Sequence, residues 1–187
     1  GQVTVRPTES WLGRTLNALG HPIDDQGPLI AGDRAVPIQG SPPAAMRRSR
    51  LGEQLKTGVK AIDLFTPICA GQRIGIFAGS GVGKSTLLAM LSRAPSSDVT
   101  VLALVGERSR EVRDFLDDTL SASRDRVVSV VATSDESPMM RRLAPAAAMC
   151  IAEYYRDQGK NVLLIIDSLT RYAHAMRELA LASDEPP

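Results

Sequence analysis

The sequence is poor in the residues that build metal, redox and nucleic-acid sites. Its two cysteines, Cys69 and Cys150, stand far apart, with no Cys-x-x-Cys pair and no histidine nearby. Two buried thiols in a reducing compartment are expected. His21 and His174 are equally isolated, which argues against a transition-metal centre. One Trp, three Tyr and three Phe leave no platform on which bases could stack. Neither sign of charge is in excess: 22 Lys and Arg against 21 Asp and Glu give a net charge of +1. Bulk electrostatics therefore supplies no pull toward nucleic acid or a membrane surface. The longest apolar runs, Val127–Ala132 and Val162–Ile166, fall far short of the roughly 20 residues that span a bilayer, and no secretory signal is expected.

What is present is ordinary in amount: 43% hydrophobic and 23% charged residues in 187, typical of a folded domain. A chain of this length buries roughly 70% of its unfolded surface, so no disulfide or metal staple is required. The start at Gly1 without Met and the stop at Glu185-Pro186-Pro187 read as a fragment of a longer chain. Arg47, Arg48 and Arg50 form the only tight basic cluster, which reads as solvated surface.

Residues 1–45 are rich in Pro and Gly, with short strand-like stretches at Gln2–Arg6 and Gly13–Leu19. Turns are expected at Gly20-His21-Pro22 and Asp24–Pro28, and a linker at Gly40–Pro43. Such a segment is too short for a core of its own, so it is expected to complete a unit upstream. From about residue 55 strands alternate with helices. Strands are predicted at Arg73–Ala78, Val99–Val105, Val127–Ala132 and Val162–Ile166. Helices are predicted at Lys84–Ser92, around Val112, Phe115, Leu116 and Leu120, from Ser137-Pro138 to a stop at Gly159, and from Leu169 to about Ala182. Pro145 is expected to kink or split the third of these. The alternation implies an α/β fold, a parallel sheet with helices on both faces.

The glycine-rich turn Ala78-Gly79-Ser80-Gly81-Val82-Gly83-Lys84-Ser85-Thr86 follows the first of these strands and opens a helix. It fits the phosphate-binding loop, with Ala78 where the strict pattern begins with Gly. Glycines let successive backbone N–H groups turn inward around phosphates, and the helix adds its positive end. Lys84 would reach the β- and γ-phosphates and the Ser85 hydroxyl would hold Mg²⁺. A carboxylate is needed for that ion, and Asp167 ends the strand Val162–Ile166 on the same sheet edge. Hydrolysis needs a group that orients water. Glu107, after Gly106 at the end of Val99–Val105, is the best candidate, although its position suits a helix-start carboxylate equally well. Arg108 and Arg110 could counter phosphate charge or hold Glu107, and Arg171 suits either site support or surface pairing.

Five stretches taken in order are more specific than any one: Gly13–Gly20, Leu55–Asp63, Ala78–Thr86, Val105–Glu111 and Ile165–Ala173. Together they resemble the rotary ATP synthase subunits and, most closely, the flagellum-specific (type III secretion) export ATPases. The resemblance covers essentially the whole chain. It implies a RecA-like P-loop NTPase core over 46–187, truncated at its C-terminal side, with 1–45 as the end of a small N-terminal β-barrel plus linker. Position by position, it places the catalytic glutamate on Glu107, a site arginine on Arg108 and the phosphate lysine on Lys84. Nucleotide binding falls on Gly79, Ser80, Gly81, Val82, Gly83, Lys84, Ser85 and Thr86, and Mg²⁺ on Ser85 and Asp167.

Non-catalytic alpha subunits carry glutamine where this chain has Glu107, so the resemblance implies a catalytic-type subunit. It further implies Mg²⁺-dependent ATP hydrolysis by a homo-hexamer that energises protein export. The expected partners are stalk and regulator proteins and export chaperones, at the cytoplasmic face of an inner-membrane export gate, with no nucleic acid. The adenine-stacking aromatic and the arginine finger of the family are expected beyond Pro187, so poor turnover is expected of the 187 residues alone. The alternatives are a catalytic beta-type subunit of a proton-translocating ATP synthase and a RecA- or Rho-like motor stimulated by nucleic acid.

Overall fold

The computed structural model describes residues 3–40, 42, 44, 46, 50–79 and 81–183. Arg47 and Arg48 of the basic cluster, Ser41 and Pro43 of the linker, and Ser80 of the glycine-rich turn lie outside the described residues. The strands are β1 (Thr4–Val5), β2 (Thr15–Asn17), β3 (Val36–Pro37), β4 (Gln54–Leu55), β5 (Ile68–Cys69), β6 (Val99–Val105), β7 (Val127–Ala132) and β8 (Val162–Asp167). The helices are α1 (Lys60–Phe65), α2 (Lys84–Leu91), α3 (Ser109–Asp114), α4 (Pro138–Asp157) and α5 (Leu169–Ala182).

The main sheet has the order β2-β7-β6-β8 and is parallel throughout. Every residue of β6 and β7 is buried, because both parities of these strands are largely apolar. Val99, Val101, Ala103 and Val105, with Val128, Val130 and Ala132, face a core completed by Ala144, Ala147, Ala148 and Ile151 of α4. Leu102, Leu104 and Val131 belong to a second core with Leu88 and Leu91 of α2 and Val112 of α3. Side chains alternate across a strand, so a strand apolar at every position needs a cover on each face. The one polar residue near the middle of this pattern in β6 is satisfied: the Thr100 hydroxyl donates to the Ser92 carbonyl at 3.2 Å.

Four expectations need correction. The run Arg73–Ala78 forms no strand. Ile76 packs on the second core, but Ile74 and Phe77 are exposed, Phe77 at 98%. Apolar content alone does not make a strand; a ladder partner does, and β8 pairs only with β6 among the described residues. Pro145 does not split its helix, since α4 runs unbroken from Pro138 to Asp157. The ring costs a backbone hydrogen bond, yet Leu143 and Ala144 before it and Ala147 and Ala148 after it are held in the first core. The helix through Val112 and Leu120 is not regular: α3 passes at Phe115 into a wider π turn, in which Leu120 N–H donates to the Phe115 carbonyl at 3.1 Å. Cys69 is only half-buried, on the short pair β4–β5, whereas Cys150 is buried as expected.

The described residues among the first 45 do not stand apart from the core. β2 is the edge strand of the main sheet, with Thr15, Leu16 and Asn17 opposite Ser129, Val130 and Val131. Val5, Trp11, Leu16, Ala18 and Ile38 share one core with α4, and Tyr155 of α4 donates its hydroxyl hydrogen to the Thr8 carbonyl at 3.0 Å. What lies outside the main sheet is the two-residue antiparallel pair β1–β3. The segment Gln54–Asp63 is tied by its own side chains: Asp63 accepts from the Thr57 amide at 2.9 Å, the Thr57 hydroxyl at 2.7 Å and the Gly58 amide at 3.1 Å. Those bonds hold the Asp63 carboxyl below its usual range, the Thr57 hydroxyl bond first among them.

Candidate functional site

Parallel strands deliver their connecting loops to one edge of the sheet, and that edge carries the polar residues singled out above. A cleft of about 820 Å³ opens there. Its walls include Ala78, Gly79, Gly81, Gly83, Lys84 and Ser85 from the glycine-rich turn, Glu107 and Arg108 from the end of β6, and Asp167 and Arg171 from the end of β8 and the start of α5. Two apolar side chains on the α3 side, Val112 and Phe115, close it.

The turn is built by backbone geometry. Gly83, at φ +96°, caps α2 in a left-handed conformation with no side-chain cap bond, a conformation that residues with a Cβ seldom adopt. The first amide N–H groups of α2 consequently have no intrahelical acceptor, and such groups bind phosphate at a helix start.

Lys84 is the electrostatic centre. Its Nζ donates to Asp167 Oδ1 at 2.5 Å and lies 4.0 Å from Glu107 Oε1. Asp167 is buried where β8 meets α5. The next residue, Ser168, caps α5 by accepting from the Arg171 amide at 3.3 Å. Glu107 lies before the first residue of α3, Ser109, so it is not a first-turn carboxylate; its side chain, 20% exposed, faces Lys84. Two carboxylates thus share one ammonium, an arrangement that carries a net negative charge.

Gly106 fixes the link between β6 and Glu107. Its φ is +72°, its N–H donates to the Ala132 carbonyl at 2.7 Å, and a Cβ there would come within 2.8 Å of Arg171 Cβ. The close approach lets the Arg171 stem pass beneath the Glu107 loop, which explains how Arg171 reaches the cleft wall.

Not every residue singled out from the sequence is on the wall. Val82 is 67% exposed and does not line the cleft; neither do Thr86 and Arg110, both exposed. Arg108 lines the rim with its side chain 82% exposed and pairs with Glu111 at 3.4 Å. Sequence reasoning missed Ser168, Thr170 and Glu111 as wall residues. The available signal was adjacency: the first two follow Asp167 at a strand's carboxyl end, and Glu111 is one helical turn beyond Glu107.

Residues 58–187 match the family model "ATP synthase alpha/beta family, nucleotide-binding domain". The chain belongs to that family. It is 61% identical over 187 residues, 100% of its length and 40% of the relative's, to a flagellum-specific ATP synthase of Agrobacterium fabrum. It is 50% identical over 177 residues, 94% of its length and 40% of the relative's, to a type 3 secretion system ATPase of Xanthomonas euvesicatoria. Among solved structures it resembles a prototypical ATPase from the type III secretion system of pathogenic bacteria, with a TM-score of 0.92 and 45% identity over 98% of this chain and 53% of that one. It also resembles the assembled ATPase EscN in complex with its central stalk EscO from enteropathogenic E. coli, with a TM-score of 0.91 and 44% identity over 98% of this chain and 45% of that one. The chain therefore spans about two fifths of the length of the curated relatives it matches. The resemblance to the flagellar and type III export branch of the ATP synthase family, read from five motifs, is borne out, as is the RecA-like α/β core with its parallel sheet.

Proposed function

We propose that this chain carries the catalytic nucleotide site of an ATPase that energises protein export, acting as a hexamer on a central stalk. The single observation that carries the reading is the convergence of Lys84, Glu107 and Asp167 in the cleft beside the glycine-rich turn. Lys84 has the reach and charge for the β- and γ-phosphates, and Gly79, Gly81 and Gly83 expose backbone to them. Ser85 and Asp167, both on the wall of the cleft, offer a hydroxyl and a carboxylate oxygen, the hard donors that suit Mg²⁺ when phosphate oxygens and water complete its shell. Bound there, Mg²⁺ would neutralise charge on the transferring phosphoryl group. Glu107 polarises the attacking water, its carboxylate kept close to the reacting phosphate by attraction to Lys84. Arg108, on the rim, counters phosphate charge.

The export role rests on the similarity to flagellum-specific and type 3 secretion relatives. Assembly on a central stalk rests on likeness to EscN assembled with EscO, and the hexamer on the resemblance to the rotary ATP synthase subunits. Export chaperones as partners and a place at the inner face of the membrane complete the reading. No helix among the described residues is long and apolar enough to cross a membrane. The ATP synthase beta-subunit and nucleic-acid motor alternatives draw less support, because the relatives named above are a flagellum-specific ATP synthase and a type 3 secretion system ATPase.

The test is Glu107→Gln in the full-length protein. ATP binding should persist while turnover falls by about 10²-fold or more, as for loss of a general base. Turnover at the wild-type rate would remove Glu107 from its role.

A further inference from the structure

The connection between β7 and α4, residues 133–137, runs beside the connection between β6 and α3 that bears Glu107. Parallel pairing of β6 with β7 ends at Val105 opposite Ala132, yet contact continues beyond both strand ends. Gly106 N–H donates to the Ala132 carbonyl at 2.7 Å, and Ser134 N–H donates to the Glu107 carbonyl at 2.9 Å. The Ser109 hydroxyl then donates to Asp135 Oδ2 at 2.8 Å. Three successive attachments thus fall at residues 106, 107 and 109. The first two are backbone bonds and tether the link on its β6 side. The third joins two side chains and fixes the first turn of α3, whose Arg108 N-cap supplies no side-chain cap bond.

We propose that Asp135 is a positioning residue for Glu107, acting through Ser109. The inference rests on Glu107 as the water-polarising group. Glu107 sits on a link whose one end is anchored in β6 and whose other end is α3. If α3 swings, the link turns and the carboxylate leaves its place 4.0 Å from Lys84. Asp135 prevents that swing by holding Ser109 from the neighbouring loop. Its carboxylate also lies beside the start of α3, where negative charge is favourable. Ser109 and Asp135 are exposed, so the bond between them adds little to overall stability. Its value is geometric, since a displacement of about 1 Å at a reacting group can cost 10²-fold in rate.

The experiment uses the full-length protein with Asp135→Ala, Asp135→Asn, Ser109→Ala and the Asp135→Ala/Ser109→Ala pair. Steady-state kcat and KM for ATP, affinity for a fluorescent ATP analogue and thermal unfolding are measured on each. Asp135→Ala and Ser109→Ala should each lower kcat about tenfold with KM and analogue affinity within about twofold, the pattern of a group acting in the transition state. The pair should be no worse than either single change, because both remove the same bond. Asp135→Asn, whose amide oxygen still accepts from Ser109, should recover most of the rate. In a Glu107→Gln background Asp135→Ala should cost nothing further. Should Asp135→Ala unfold early, Ser109→Ala reads the same bond from its other end. Unchanged kcat in Asp135→Ala, a change confined to KM, or an Asn variant as slow as Ala each overturns the inference. Glu107→Gln inactive with Asp135→Ala at the wild-type rate overturns this inference alone. Glu107→Gln at the wild-type rate overturns the role of Glu107 and this inference with it.

Discussion

Lys84 Nζ donates to Asp167 Oδ1 at 2.5 Å, so the lysine proposed for the phosphates and the carboxylate proposed for Mg²⁺ neutralise one another directly. A triphosphate entering the cleft must draw the lysine away from that carboxylate, and it meets the charge of Asp167 as it does so. In the proposed site Mg²⁺ would resolve both problems, because Asp167 would then serve as its ligand.

The first prediction concerns Mg²⁺. Asp167→Asn in the full-length protein should bind ATP more tightly than wild type when Mg²⁺ is chelated, because the charge attraction that holds Lys84 is weakened to a neutral hydrogen bond and a like charge is gone. The extra affinity that Mg²⁺ gives wild type should disappear in the variant. Calorimetric titration with and without Mg²⁺ checks both; weaker Mg²⁺-free binding by the variant would contradict the exchange.

Gly106 meets two demands at once, a positive φ and a close approach to Arg171. Gly106→Ala should destabilise the protein by about 1–2 kcal/mol, the cost of a left-handed residue with a Cβ. It should also slow turnover, because the displaced link carries Glu107. Combining it with Arg171→Ala removes the Cγ and Cδ contacts but leaves the Cβ contact at 2.8 Å and the backbone strain, so urea unfolding should show little recovery.

Acid should weaken the loop that starts the sheet. Burial alone would lift the Asp24 carboxyl, but hydrogen bonds from the Arg14 guanidinium and the Thr15 and Gln26 amides outweigh it and hold it at about 2. A depressed carboxyl stabilises the fold fully above its unfolded value near 3.9, and that contribution is lost as pH falls through about 2. The Arg14 bond is 2.8 Å long and the Asp24 side chain is almost wholly covered, so the contribution is about 2 kcal/mol. The stability gap between wild type and Asp24→Asn should be wide at neutral pH and close across that acid window in urea titrations.

The two thiols should separate by reactivity. Cys150 is buried among the α4 contacts, and burial first, then the nearby Glu153, pushes its thiol up to about 11. Cys69 is half-buried on a two-residue strand. Mass-spectrometric mapping after brief alkylation at pH 8 should find Cys69 modified well before Cys150, and both modified equally only in denaturant. Early labelling of Cys150 would contradict its placement.

Much of this was legible in the sequence, for reasons that differ by element. β6, β7, α4 and α5 were readable because apolar spacing and caps are local properties, down to the Ser137 cap of α4. The candidate site residues were readable because a parallel sheet brings the ends of β6 and β8 together, so Glu107 and Asp167 had to share an edge, while Lys84 was marked by its glycine-rich turn. Arg73–Ala78 was misread because a ladder partner, which decides strand formation, lies elsewhere in the chain. Pro145 does not split its helix for a related reason: its local penalty is outweighed by contacts of α4 with the sheet. The tie between residues 133–137 and the Glu107 loop has no local signal at all, since Ser109 and Asp135 meet only once β6 and β7 are paired.

The placement of β2 also bears on how the molecule is made. Thr15 leaves the ribosome well before its partner Ser129, which is synthesised only after the residues of α1, α2, β6 and α3. The edge strand of the sheet must therefore wait, with the buried Leu16 exposed in the meantime, and its pairing closes a long loop. Long-range pairing of this kind slows folding more than it weakens the product. Chains interrupted between β2 and β7 would carry that unpaired strand, the feature most prone to pair with another copy.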